Sequence, residues 1–393
     1  MIDHIHIGGG IKVKFEIRTG NCVELMAYMD DESVDMCVTS PPYWGLRDYG
    51  GKGIVWGPQQ CIERGEGDTY HEWEGYTRPS ENTRNNNNSL QLKSAYWEPQ
   101  EQAFCKHCDA WFGQLGLEPT PEQYVKNMVE VFREVKRVLK PEGTLWLNIG
   151  DSYCAGSRKS GVADSAGGER GLPTTQRNQA SGDLKQKDLV GIPWMLAFAL
   201  RADGWYLRQD IIWAKPNCMP ESVRDRCTKN HEYVFLLSKS KDYYYDNEAI
   251  KEDTVGKPDK NKSAFKYADD EDWAAGDPNR TSKAKGIADA RVKQYAKRNK
   301  RSVWWVGPKP FPEAHFAVFP VELIEPCILA GCPPNGTVLD PFGGAGTTAI
   351  ASIKHGRNAL LLEYSEKYSD IAHKRILAYR EEIGLDKADR EWF

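Results

Sequence analysis

Two short runs of this sequence combine residue types and spacings suited to chemistry. The first is Ser40-Pro41-Pro42-Tyr43. Its prolines fix the backbone and aim the Ser40 hydroxyl and the Pro41 carbonyl into one small space beside the Tyr43 ring. Such a pocket suits a planar base, whose exocyclic amine needs acceptors and whose ring needs a stacking face. The second run is Asp340-Pro341-Phe342-Gly343-Gly344-Ala345-Gly346-Thr347-Thr348, directly after an apolar stretch. Its glycines let the backbone approach a ligand closely, and the following helix offers free N–H groups at its start. The third glycine of a dinucleotide fingerprint is missing, Ala349 standing in its place, which weakens a nucleotide-phosphate reading. Glu363 ends the next apolar stretch, where a carboxylate can accept hydrogen bonds from ribose hydroxyls.

Two further groups could bind. Cys105-Lys106-His107-Cys108 forms a Cys-x-x-Cys knuckle, and Cys61 with His71 can complete a tetrahedral zinc site of structural type. His107 is the competing ligand, disfavoured by its place inside the knuckle. The stretch 279–301 carries Arg280, Lys283, Lys285, Arg291, Lys293, Lys297, Arg298, Lys300 and Arg301 against Asp289 alone. A charge run is usually a solvated face. Interleaved with Tyr295 and leading to Trp304-Trp305, this one has the charge and aromatic pattern of a face that contacts nucleic-acid phosphates and base edges.

Residues 34–38 form a buried strand that stops abruptly at the prolines. Thr120, Pro121 and Gln123 open a helix with a capping box, and its apolar positions recur at helical spacing up to Val138-Leu139. A strand over 144–149, a helix over 192–202, and strands near 207–213 and 233–238 follow. The last core stretch is strand 337–339, the glycine turn, a helix from about Thr347, and strand 358–362. Strands alternating with helices predict an α/β fold with a Rossmann-like, doubly wound parallel sheet. The expected organisation is one half of the core at 11–50 and an insertion at 51–117. The core resumes at 118–249 with a mobile loop at 155–188, a recognition segment fills 250–301, and 302–393 is the ligand-binding part. Pro326-Cys327 falls in an apolar helical stretch and reads as core.

Composition sets outer limits. The chain has 393 residues, 40% hydrophobic and 27% charged, which excludes a mostly disordered protein. No apolar run approaches the ~18 residues of a membrane span, and the N-terminal residues lack a signal-peptide pattern. Ten cysteines are too few for a disulfide scaffold, so reduced thiols in the cytoplasm are expected. A net charge of −4 argues against nonspecific coating of nucleic acid while leaving room for a local basic face.

These motifs together resemble the amino-group DNA methyltransferases that use S-adenosylmethionine, in the permuted order with the catalytic motif before the cofactor motif. Ala314-His315-Phe316-Ala317-Val318-Phe319-Pro320 resembles that family's cofactor-lining segment. Trp213-Ala214-Lys215-Pro216-Asn217 and His231-Glu232-Tyr233 resemble later core blocks, and Asn21 stands where the family usually has Asp. The resemblance implies that Phe319, Asp340, Phe342, Gly343, Gly344, Gly346 and Thr347 hold the cofactor and that Glu363 binds its ribose. It implies that Ser40, Pro41, Pro42 and Tyr43 hold a flipped target base in duplex DNA, with a companion restriction endonuclease as a further partner. In this family a serine before Pro-Pro-Tyr is more frequent in enzymes acting on the cytosine amine, and Asp or Asn in those acting on adenine. The reading is therefore cytosine N4 methylation, with adenine N6 as runner-up. An inactive nucleic-acid binder of the same fold, an RNA or protein-amide methyltransferase and a dinucleotide oxidoreductase are rivals in decreasing order.

Overall fold

The computed structural model describes residues 2–7, 11–46, 53–58, 61–64, 68–74, 102–154, 183–253, 297–309 and 318–383. The elements are β1 (Ile2–Ile7), β2 (Ile11–Thr19), α1 (Cys22–Ala27), β3 (Val34–Thr39), β4 (Ile54–Trp56), β5 (Ile62–Arg64), β6 (Asp68–Tyr70), β7 (Ala103–Phe104) and β8 (Trp111–Gly113). They continue with α2 (Pro121–Val138), β9 (Leu139–Ile149), α3 (Ile192–Ala202), β10 (Tyr206–Ala214), β11 (His231–Ser238), β12 (Glu252–Asp253), β13 (Lys297–Arg298) and β14 (Val303–Trp305). The last are α4 (Val321–Gly331), β15 (Thr337–Asp340), α5 (Thr347–Lys354), β16 (Asn358–Glu363) and α6 (Glu366–Glu382). The chain divides into two compact units, 1–245 with 302–393, and 246–301.

Nine strands form the main sheet in the order β1-β2-β16-β15-β3-β9-β11-β10-β14. The five strands from β2 to β9 run parallel. The sheet is nevertheless mixed: β11 lies antiparallel to both β9 and β10, and β1 antiparallel to β2. Neighbours in sequence such as β10 and β11 can pair antiparallel without a crossover helix, so the sheet is parallel at its centre, as expected of a doubly wound fold, and antiparallel towards its edges.

Side-chain alternation divides the core between the two faces of this sheet. Cys37, Leu145, Leu147, Leu339, Leu360 and Leu362 pack with α1, α2 and α3. Phe15, Ile17, Ala359 and Leu361 pack with α5 and α6, and α4 covers β3 and β9 beside them. Thr120 caps α2 as expected, its hydroxyl accepting from Gln123 N at 3.2 Å. Cys327 is fully buried in α4, in keeping with a packing role.

This order places the chemistry. β3 hands the chain to one side of the sheet through α2, while β15 hands it to the other through α5. The two strands are hydrogen-bonded neighbours, with Leu339 opposite Cys37. The crevice outside the carboxyl ends of such a diverging pair is where open α/β sheets bind ligands.

Candidate active site

Ser40-Pro41-Pro42-Tyr43 leaves the end of β3, and the glycine turn leaves the end of β15 beside it. The two runs are tied directly: the Thr39 hydroxyl donates to Asp340 Oδ1 at 2.6 Å. Asp340 Oδ1 also accepts from Phe342 N at 3.1 Å, and Oδ2 accepts from the Thr348 hydroxyl at 2.6 Å. The carboxylate is thus the knot of the turn. Burial pushes its pKa up to about 6, and these three donors oppose the shift.

Gly346 closes the turn at φ +79°, and a Cβ there would stand 3.1 Å from Ala372 of α6. Only glycine meets both demands. The chain then enters α5, whose first N–H groups have no helical partner. Glu363, at the end of β16, receives Gly344 N at 2.7 Å and Ser365 N at 2.9 Å. Burial raises its pKa. Each carboxylate oxygen has two lone pairs, so acceptor capacity remains for a ligand hydroxyl.

Both runs open into one cavity of about 940 Å³. Ser40, Pro41, Pro42, Tyr43, Phe319, Asp340, Phe342, Gly343, Gly344, Thr347 and Glu363 all line it. The structure therefore gathers the expected catalytic and cofactor residues into a single space, with Gly346 shaping the turn behind it. The volume lies at the upper end of the ~300–1,000 Å³ of ligand pockets.

The Tyr43 end of the cavity holds a network that sequence reasoning left without a role. The Tyr43 hydroxyl donates to Glu232 Oε2 at 2.9 Å, with Asn148 Oδ1 at 3.3 Å. Lys215 pairs with the other oxygen of Glu232 and sits 4.1 Å from the centroid of Trp213. Burial, then the charge of Glu232, holds the Tyr43 phenol well above its usual pKa, so it remains a donor. The ring lies across the end of β9, where a Cβ on Gly150 would come within 2.6 Å of Tyr43 Cε2. Lys215 and Glu232 lie in the family-like blocks, yet as charges at strand ends they look like ordinary solvated residues in one dimension.

The Pro-Pro-Tyr loop is clamped from the other side by α2 and the segment before it. Tyr124 donates to the Pro42 carbonyl at 2.8 Å, Trp44 Nε1 to the Glu118 carbonyl at 2.8 Å, and Gly45 N to the Gly116 carbonyl at 2.8 Å. The buried Glu118 carboxylate accepts from Gly116 N and Asn127 Nδ2 at 2.8 and 2.9 Å. Burial pushes its pKa from 4.5 to about 7. A carboxyl with a raised folded pKa binds its proton more tightly in the native state. Its stabilising contribution is full below about pH 4.5 and fades as pH rises through about 7. Native stability should accordingly fall from pH 5 to pH 8, and Glu118→Gln should flatten that slope even though its absolute stability drops. Urea midpoints across this range measure it; an equally steep slope in the variant would contradict the assignment.

The remaining expected ligands divide. Cys61, His71, Cys105 and Cys108 converge, their ligand atoms all within 4.8 Å of one another. His107 instead meets Glu72 at 2.9 Å. Arg280, Lys283, Arg291 and Lys293, and most of the loop 155–188, lie outside the described residues. Lys297 is exposed, whereas Arg298 and Arg301 both donate to Glu252, at 2.9 and 2.6 Å. Among the described residues no helix is long and apolar enough to cross a membrane.

Residues 34–374 match the model of a family described as DNA methylase. The type II methyltransferase M.SmaI of Serratia marcescens is 38% identical over 93% of this chain and 91% of its own length. The type II methyltransferase M.Cfr9I of Citrobacter freundii is 37% identical over 91% of this chain and 86% of its own. Among solved structures, PvuII DNA methyltransferase (cytosine-N4-specific) aligns with a TM-score of 0.49 and 14% identity, over 94% of this chain and 92% of that one.

Proposed function

The chain belongs to the DNA methylase family, and from that premise we propose that it methylates the exocyclic N4 amine of a cytosine flipped out of duplex DNA at a specific sequence. The observation that carries this is the single cavity joining the glycine turn to the Ser40–Tyr43 loop, with Thr39 and Asp340 holding the two together. The methyl donor is S-adenosylmethionine, which supplies a methyl group on a positively charged sulfur. Phe319, Phe342, Gly343, Gly344 and Thr347 border the space for its methionine part. Glu363 faces the same cavity with acceptor capacity for ribose hydroxyls. The fit is favourable on this chain's own terms, through a backbone turn that only glycine allows, a helix start, and a carboxylate.

An amine conjugated with its ring is a poor nucleophile. Hydrogen bonds to the Ser40 hydroxyl and the Pro41 carbonyl localise the nitrogen lone pair, and Tyr43 fixes the ring by stacking. That lone pair forms the new N–C bond as the C–S bond breaks, with no covalent enzyme intermediate. The displaced proton passes to the carboxylate of Glu232, which lines the same cavity, and from there to solvent. Ser40 supports cytosine over adenine, because a neutral hydroxyl replaces the Asp or Asn more frequent in adenine-specific relatives. The basic side chains from Arg280 to Arg298 are assigned to phosphate and base-edge contacts. The type II designation of M.SmaI and M.Cfr9I extends, as part of this proposal, to a mark that shields DNA from a companion endonuclease.

The test is incubation with isotopically labelled S-adenosylmethionine and mixed-sequence duplex DNA, followed by nucleoside mass spectrometry. N4-methylcytosine is expected. N6-methyladenine would keep the mechanism and move the base, and unlabelled DNA despite bound cofactor would overturn the proposal.

A further inference from the structure

The described residues of the insertion between β3 and α2 form small pieces: a sheet in the order β4-β8-β7 and a ribbon of β5 and β6, with no strand among them longer than 3 residues. Its buried apolar cluster is Trp73, Ala103, Cys105, Ala110 and Phe112. So small a core rarely holds a fold by itself. At its edge, Cys61 before β5, His71 after β6, and Cys105 and Cys108 in the turn between β7 and β8 point at one another.

The distances have the pattern of a coordination shell. Zinc bonds of ~2.3 Å to sulfur and ~2.0 Å to nitrogen, arranged tetrahedrally, put sulfur–sulfur edges near ~3.8 Å and sulfur–nitrogen edges near ~3.5 Å. Cys61 Sγ lies 3.4 Å from Cys105 Sγ, and Cys108 Sγ lies 3.6 Å from His71 Nδ1. The knuckle turn also aims backbone N–H groups at its sulfurs, His107 N at Cys105 Sγ (3.5 Å) and Ala110 N at Cys108 Sγ (3.4 Å). Such donors stabilise thiolate charge and fix the orientation of the ligands.

We propose that these four residues bind a structural Zn²⁺, and that the ion fixes one wall of the cavity that holds Ser40–Tyr43. Four protein ligands fill a tetrahedral shell and leave no open position, which excludes a hydrolytic role. The link to the cavity runs through β8. Phe112 packs on Trp73 beside the ligands, with ring centroids 5.9 Å apart. The next residues, Gly113, Gln114 and Leu115, line the cavity together with Ile54 and Trp56 of β4. Trp56 is held there by its indole N–H, which donates to the Gly113 carbonyl at 3.1 Å. That this wall faces a DNA base rests on the proposed function; the metal and its hold on the wall do not.

Elemental analysis of the purified full chain, grown with zinc supplied, should find one zinc per chain. Cys105→Ser should lose the metal, while Cys227→Ser, an exposed thiol outside the cluster, should keep it. If Cys105→Ser proves insoluble, wild-type protein carries the test: cobalt exchanged for zinc should give thiolate charge-transfer bands and intense tetrahedral d–d bands. Stripping the zinc should release three reactive thiols and remove hydrogen-exchange protection from 54–56 and 111–113. A wild-type chain without zinc, or with Cys61 and Cys105 joined as a disulfide, would overturn the site. Unchanged protection at 54–56 and 111–113 after stripping would overturn the wall. Neither readout depends on methyl transfer, so a failed methylation assay would count against the proposed function alone.

Discussion

Replacing Tyr43 by Ala should abolish methyl transfer while leaving S-adenosylmethionine binding largely intact. The ring borders the cavity, and its hydroxyl is held from β9 and β11 by Asn148 and Glu232 rather than from the glycine turn. Removing it takes away a stacking surface worth ~1–3 kcal/mol per base. It also releases the flipped ring from its alignment, where a misplacement of ~1 Å costs on the order of 10²-fold in rate. A loss of at least ~10²-fold in single-turnover rate is therefore expected. Tyr43→Phe keeps the ring and cuts only the hydroxyl's links to Glu232 and Asn148, so it should retain far more activity. Equilibrium dialysis with the cofactor and single-turnover methylation separate the two effects. A Tyr43→Ala protein that no longer binds cofactor would mean that the roles are assigned to the wrong ends of the cavity.

Asp340→Ala should give the opposite split, with cofactor binding failing first. Asp340 is 1% exposed and receives three donors, the hydroxyls of Thr39 and Thr348 and the N–H of Phe342. A buried donor left without its acceptor costs about 1–3 kcal/mol, less where the surroundings relax. The variant should thus lose several kcal/mol of stability, and its glycine turn should no longer hold one shape. Cofactor affinity should fall by ~10²-fold or more, since a preformed turn otherwise spares the ligand that ordering cost. Calorimetric titration at a temperature where the variant remains folded checks this. Wild-type affinity would show that the turn keeps its form without the carboxylate.

Much of this arrangement was legible because its signals are local. Two prolines after an apolar strand, a glycine turn before a helix, and the Thr120 cap each fix their own backbone, and the structure has each in that form. Other parts depend on distant neighbours. α1 has six residues and is too short for a periodic pattern; it is set by Asn21, whose side chain accepts from Val23 N at 2.8 Å. The strand expected from 144 in fact starts at Leu139 directly after α2, with Pro141 and Gly143 inside it. The register shift between Val34 and Met36 is where β3 and β9 accommodate that irregular start. Strands of two or three residues in the insertion carry no period at all. The Lys215–Glu232 pair becomes meaningful only when the β10–β11 hairpin brings it under Tyr43.

The neighbourhood of β3 and β15 has a consequence for how the protein is made. Thr39 and Asp340 are hydrogen-bonded across 301 residues of sequence. A ribosome adding ~5–20 residues per second needs about 15–60 s to cover that span. During this time β3 can pair with β9 on one side while its other edge stays open to any strand that meets it. The middle of the sheet closes late, by a long-range contact of the kind that slows folding. The cavity proposed for methyl transfer, sited at that closure, is therefore among the last features to form, and the unfinished chain has a strand edge for chaperones to guard.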